Sequence, residues 1–276
     1  MKRRILRLTA LILALLLTAV PLSSCHPASD GAGETELPEI LVGSDEYEPF
    51  FYAGEGDSFT GFDVELATEA FRRMGYRAKF VKIKWTRKDV LLKDGTIDCL
   101  WGCFSMTGRE NNYTWAGPYL NSRQVVVVPA ESGIYTLADL ADKRVAVQAT
   151  SKPDEILSAG TDPRIPKIKN LYCFPTDDNV FAALRKGYVD AVAGHDAALE
   201  NRIKEYPAGS YRILEENLLK VQLGVAFAKG THEELAQKLT ATFAELTADG
   251  FVETLLGKYG MNAAKSLTGI KGYGKE

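Results

Sequence analysis

Short runs of aliphatic and β-branched residues alternate along the chain with longer stretches in which apolar positions recur every three or four residues. The short runs predict strands over 40–43, 78–83, 97–100, 125–128, 144–147, 171–174, 189–193 and 222–227. Between them, Phe62, Leu66, Ala70 and Phe71 share one face at helical spacing and the pattern stops at Gly75, which predicts a helix over 62–74. Similar periodicity predicts helices over 153–159, 179–186, 195–205 and 232–248. Regular alternation of the two element types makes the chain α/β. No internal repeat interrupts it.

Two apolar extended runs, Val125 to Pro129 and Leu223 to Phe227, flank an inner block of about 95 residues, the size of one domain. They are expected to be paired hinge strands. The inner block, 126–225, then forms a second lobe, and 39–125 joins 226–276 as the first. One continuous sheet is the alternative that the pattern leaves open.

The amino terminus has a different character. Lys2, Arg3, Arg4 and Arg7 precede an almost unbroken apolar stretch over 8–20, the arrangement of a secretory signal covering 1–24. Leu22-Ser23-Ser24-Cys25 resembles the lipobox of bacterial lipoproteins, which implies acylation of the Cys25 thiol and a mature chain that begins there. A membrane-spanning anchor is the competing reading, but the apolar run is shorter than the roughly 20 residues a span needs. A diacylglycerol brings two acyl chains and so gives stable anchoring. Residues 25–38 are small, acidic and turn-rich, and read as a flexible tether. The expected location is the extracytoplasmic face of the cell membrane.

At 276 residues, 46% hydrophobic and 25% charged, the chain has room for two modest domains and is neither disordered nor fibrous. Its net charge of -3, with no basic run beyond the terminus, argues against nucleic acid as a partner. Cys99, Cys103 and Cys173 cannot all pair internally, and no Cys/His spacing matches a zinc site. They read as buried free thiols, with a bridge between Cys99 and Cys103 left open.

The stretch Gly61-Phe62-Asp63-Val64-Glu65-Leu66 resembles a signature of the family 3 extracellular solute-binding proteins. The likeness continues in order through Asp45 to Phe50, Trp85, Gly95-Thr96-Ile97-Asp98, Phe104 to Arg109, Gly117-Pro118-Tyr119, Val145 to Gln148, Gly187 to Ala191 and Leu223 to Phe227. It implies a two-lobed periplasmic-binding-protein type 2 fold, each lobe a mostly parallel sheet flanked by helices and joined by two hinge strands. It also implies capture of a free, polar amino acid between the lobes and delivery to the permease of an ABC-type uptake transporter.

A site selective for an α-amino acid must offer a planar cation, anion-binding N–H groups and a counter-anion, away from bulk water. Arg109 follows a strand end and a Ser/Thr-rich turn, where a guanidinium grips a carboxylate bidentately. The resemblance gives it that role, although one residue fewer than usual precedes it, so the turn must be tighter and Gly108 suits it. Thr150-Ser151-Lys152-Pro153 has the composition of a capped helix start, an anion site to which the resemblance assigns the same carboxylate. For the ammonium, the resemblance counts to His195 while the carboxylate stands one place later; Asp196 is favoured because a neutral imidazole is a poor partner for an ammonium. Ser105 and the carbonyl of Gly102 are neutral acceptors. Tyr47 and Trp85 stand where the family stacks aromatics around the ligand side chain. Asp45, Glu46 and Asp178 are placed to bias the pocket toward a cationic or polar side chain, or to lie on the solvated surface.

Two rivals share this reading. A dehydratase-type enzyme on the same fold needs a positioned acid or base, and His195 is the one histidine expected near the cleft. A sensory module that docks on a membrane receptor needs only the binding site. Neither displaces the expectation of a monomeric binding protein with no cofactor, no metal and no catalytic residue.

Overall fold

The computed structural model describes residues 37–274. The expected signal segment, Cys25 and nearly all of the expected tether lie outside them. The strands, in chain order, are β1 (Glu39–Ser44), β2 (Tyr52–Ala53), β3 (Phe59–Thr60), β4 (Arg77–Lys82), β5 (Cys99–Leu100), β6 (Thr114–Pro129), β7 (Arg144–Gln148), β8 (Asn170–Phe174), β9 (Ala191–His195), β10 (Tyr211–Ile213) and β11 (Leu219–Phe227). The α-helices are α1 (Phe62–Met74), α2 (Lys88–Lys93), α3 (Lys152–Ala159), α4 (Asp177–Arg185), α5 (Asp196–Ile203), α6 (Glu233–Ala248), α7 (Phe251–Lys258) and α8 (Ala263–Leu267).

Helix α1 shows how the pattern becomes structure. Its expected face, with Phe62, Leu66, Ala70 and Phe71, is fully buried, and each large side chain so buried contributes about 1.5–3 kcal/mol. Gly61 opens it at φ 128°, where a Cβ would lie 2.3 Å from the Phe50 carbonyl oxygen, so only glycine fits. Gly75 closes it in the left-handed conformation.

The strands form one path, β4-β1-β5-β11-β6-β9-β7-β8, with β10 on β6. Strand β1 is parallel to β4 and β5, and β7 is parallel to β8 and β9. Between these two parallel sets run β6 and β11, antiparallel to one another from Leu219↔Gln124 to Phe227↔Thr114. The pairing is irregular between Leu223 and Val225. There a Cβ on Gly224 would stand 2.4 Å from Met106 Sδ. The expected hinge strands are therefore real and adjacent, and β6 is far longer than the valine run that announced it. Its first half reads Thr114 to Arg123, too mixed in polarity to declare a strand by alternation alone.

Separate cores stand on either side of these shared strands. One packs α1, α6 and α7 through Phe71, Trp101, Phe227, Leu239, Phe243 and Leu256. On the other side, Val126, Val145 and Val147 face one core while Val125, Ala146 and Val192 face another. That period-2 split is what a parallel sheet covered on both faces requires. The result is a two-lobed α/β fold, continuous in hydrogen bonding because the lobes share β6 and β11. Helices α2, α7 and α8 were not predicted. Cys99 and Cys103 are free and buried, as expected, whereas the free Cys173 is exposed and within 3.3 Å of Asp154 Oδ1.

Candidate functional site

Every segment that enters the cleft leaves the carboxyl end of a parallel strand or the turn that follows it, the usual place for ligands in α/β sheets. Asp45 and Tyr47 follow β1, Trp85 follows β4, and Gly102 to Arg109 follow β5. From the second lobe, Gln148 and Ser151 come at the end of β7, Asp177 follows β8, and His195 ends β9. Together with Cys103, Phe104, Lys152 and Pro153 they line a cleft of about 440 Å³, mouth included. The lobes touch across it, through Gln148 Nε2 donating to Asp45 Oδ2 and the His195 amide donating to Tyr47 Oη at 3.1 Å.

The turn before Arg109 is tight, with Gly108 at φ 76° and the Arg109 amide donating to the Met106 carbonyl at 2.7 Å. The guanidinium is 5% exposed and sits 4.9 Å from the Phe104 ring centroid. Its Nε donates to Glu155 Oε1 at 2.8 Å, Nη2 donates to the same oxygen, and Nη1 reaches the Ser105 carbonyl at 3.3 Å. Lys152 Nζ donates to Glu155 Oε2 at 2.5 Å. Burial works to raise the Glu155 carboxyl, but Lys152 and Arg109 hold it below its ordinary value. The carboxylate held in this corner is that of Glu155. Ser151 caps α3, accepting from the Asp154 amide.

Tyr47 and Trp85 are both buried on the cleft wall; Trp85 stands edge-on to Phe104, with ring centroids 5.1 Å apart. Gly102 is a requirement of close approach, because a Cβ there would stand 1.9 Å from Ser44 Oγ. Ser105 Oγ lies 3.3 Å from His195 Nε2 and accepts from Gln124 Nε2 at 3.3 Å. Ser122 Oγ donates to Asp196 Oδ1 at 3.0 Å and therefore accepts from His195 Nδ1, 2.9 Å away. That leaves Nε2 as the acceptor, with Gln124 Nε2 donating to it at 2.9 Å. Burial first, then Arg109, holds the imidazole below its ordinary pKa, so His195 is neutral at neutral pH.

Asp196 corrects the sequence reading. Favoured there for the ammonium, it does not line the cleft. It accepts from Ser122, from the Arg123 amide at 3.3 Å and from Arg123 Nε at 2.9 Å, and it faces a separate groove behind the shared strands. The cause is register: β9 runs two residues further than expected, to His195, which pairs with Gln124, so His195 takes the cleft-facing place. Thr150 is a second correction. In the left-handed region at φ 61°, it stays off the cavity wall and its hydroxyl accepts from Lys88 Nζ of the first lobe at 3.0 Å. Glu46 and Asp178 lie outside as well, paired with Lys82 at 2.9 Å and Arg202 at 2.5 Å.

Sequence reasoning missed Asp177, Gln148, Lys152 and Glu155. Asp177 was within reach: it follows a strand end and the capping Thr176, the same signature that identified Ser151. Burial, Asp178 and Glu205 raise its carboxyl to about 6 against the pull of Arg202. Glu155 gave no signal, since its ion pair with Arg109 depends on how α3 faces the opposite lobe.

A two-lobed α/β fold with a polar, part-aromatic cleft at the carboxyl ends of its strands defines a solute-binding protein. Residues 40–262 match the model of the bacterial extracellular solute-binding proteins, family 3, and the chain belongs to that family. It is 30% identical over 231 residues to the histidine-binding periplasmic protein of Salmonella typhimurium, covering 80% of this chain and 87% of that one. To the arginine-binding extracellular protein ArtP of Bacillus subtilis it is 26% identical over 266 residues, 94% of this chain and 98% of that one. An ABC uptake transporter substrate-binding protein from Streptococcus pneumoniae with bound histidine superposes with a TM-score of 0.73 at 25% identity, over 80% and 92% of the two chains.

Proposed function

We propose that the chain captures a free amino acid between its lobes and presents it to the permease of an ABC-type uptake transporter. The observation that carries this reading is Arg109: a buried guanidinium on the cleft wall that already holds a carboxylate from the opposite lobe. The ligand carboxylate takes its place there, with Ser151 at the start of α3 as the second contact. Tyr47 and Trp85 enclose the ligand's body, and Ser105 Oγ and the Gly102 carbonyl accept from its ammonium. The first lobe comprises 39–125 and 226–276 and the second 126–225, and they close by bending of β6 and β11. Contacts made only in the closed form drive closure, and the permease reads that form.

The relatives named for histidine and arginine favour a polar ligand with a basic side chain. The mature protein is held at the extracytoplasmic face of the membrane through acylated Cys25 and works as a monomer. Binding rather than catalysis is supported by His195, whose two ring nitrogens are both engaged and whose depressed pKa makes it a weak base. A thermal-shift screen of the mature domain against the twenty amino acids and cystine tests the reading, because a ligand that binds only the folded state raises the melting temperature. A concentration-dependent rise with a subset of them is expected. No rise with any would overturn it.

A further inference from the structure

An amino acid held by its carboxylate on Arg109 brings a cationic nitrogen into a buried cleft, and an unpaired buried charge is costly. His195, at the end of β9, is neutral, and Asp196 is engaged by Ser122 and Arg123 outside the cavity. We propose that Asp177, the first residue of α4, supplies the negative charge that faces this nitrogen, with Asp45 reaching it from the opposite lobe. The inference rests on the amino acid reading given above.

Asp177 is 8% exposed, lines the cavity, and is only loosely paired. Its ion pair with Arg202 is stretched to 3.7 Å, while the same guanidinium nitrogen lies 2.5 Å from the exposed Asp178. Asp45, 7% exposed, stands on the other lobe's wall and is fixed there by Gln148 Nε2. The Asp177 carboxylate acts on Asp45, and both act on Tyr47. The cations on the cleft wall belong to a different cluster, in which Arg109 and Lys152 share Glu155. The cleft therefore has one group of charges suited to a carboxylate and another suited to a cation.

The protonation states agree with that division. Burial, then the repulsion of Asp177, pushes the Asp45 carboxyl up to about 7, with Gln148 and Lys88 opposing; Asp177 stands near 6 among Arg202, Asp178 and Glu205. A cation seated between them favours both ionised forms, so binding near pH 6 releases protons.

The test is calorimetric titration of Asp177→Asn and Asp196→Asn with the amino acid, among the twenty and cystine, that gives wild type its largest thermal shift. Failure of every amino acid on wild type would sink the capture reading itself, separately from this assignment. Asp177→Asn is expected to lose about thirtyfold or more in affinity, as for truncation of one partner of a buried charge pair, and Asp196→Asn less than about threefold. Proton release, read from buffers of different ionisation enthalpy, should fall in Asp177→Asn. A second variant, Asp177→Ser, and the melting temperature of each unliganded variant separate lost binding from lost folding. The deaminated analogue identifies the nitrogen: if Asp177 meets the α-ammonium, wild type and Asp177→Asn bind that analogue equally, whereas a side-chain contact leaves a loss against both compounds. Wild-type affinity in a folded Asp177→Asn, or an equal loss in Asp196→Asn, would overturn the proposal.

Discussion

The Arg109 guanidinium on the first lobe and the Glu155 carboxylate on the second form an ion pair across the cleft, with Nε donating to Oε1 at 2.8 Å. Arg109 is 5% exposed and Glu155 46%, so the acid approaches a fixed cation from the solvent side of the cleft. On the proposed reading, a ligand carboxylate competes for the same fork of donors. Glu155 keeps a partner when displaced, because Lys152 holds its other oxygen.

Glu155→Gln removes that competitor. Because Glu155 is nearly half exposed, solvent screening limits the effect to about 1 kcal/mol, or about fivefold. Amino acid affinity is expected to rise by that amount in calorimetric titration, and the rise should shrink at high salt. A clear loss of affinity would mean that Glu155 helps to hold the ligand rather than giving way to it.

Asp63 predicts a pH dependence of stability. Burial raises its carboxyl to about 7, against the stabilising contacts of the Cys103 amide at 2.7 Å and Tyr119 Oη at 3.1 Å. A folded-state pKa above the unfolded value means a contribution that is complete below about pH 4 and is lost as the pH rises through about 7. Asp45 and Asp177 have the same sign, with values of about 7 and 6. Each group lowers stability by about 1 kcal/mol per pH unit within its window. Urea unfolding of the unliganded protein should show falling stability from pH 5 to pH 7, with a shallower fall in Asp63→Asn. An identical slope in that variant would contradict the assignment.

Gly102→Ala places a Cβ 1.9 Å from Ser44 Oγ and 2.9 Å from Ser44 Cβ, both fully buried. The first lobe must shift there, at a cost of about 1–3 kcal/mol in stability, and the cleft wall moves with it. Removing the obstacle with Ser44→Gly in the same chain should restore most of the melting temperature and the binding. Rescue failing in a folded double variant would show that Gly102 serves some other purpose than close approach.

How much of this was legible in the sequence depended on whether a feature is local. Helix α1 was read to the residue because its apolar face, its glycine cap and its length are all written in consecutive positions. Arg109 and Ser151 were found by strand-end and helix-start chemistry, which is also local. Asp196 was misplaced by one step, since the end of β9 is set by its pairing with Gln124, more than seventy positions away. Most of β6 escaped notice because a strand shared by two lobes need not alternate. Asp177 carried the same strand-end and cap signature as Ser151, whereas Glu155 meets Arg109 only once the two lobes are packed together, and no spacing along the chain records that.

Arg109→Ala is the measurement that bears most directly on amino acid capture. Titrated calorimetrically with the amino acid that most raises the wild-type melting temperature, this variant should lose on the order of 2–5 kcal/mol of binding. Its loss against the corresponding amine, which lacks the carboxylate, should be negligible. Near-wild-type affinity for the amino acid in folded Arg109→Ala, or equal losses for both compounds, would contradict the account.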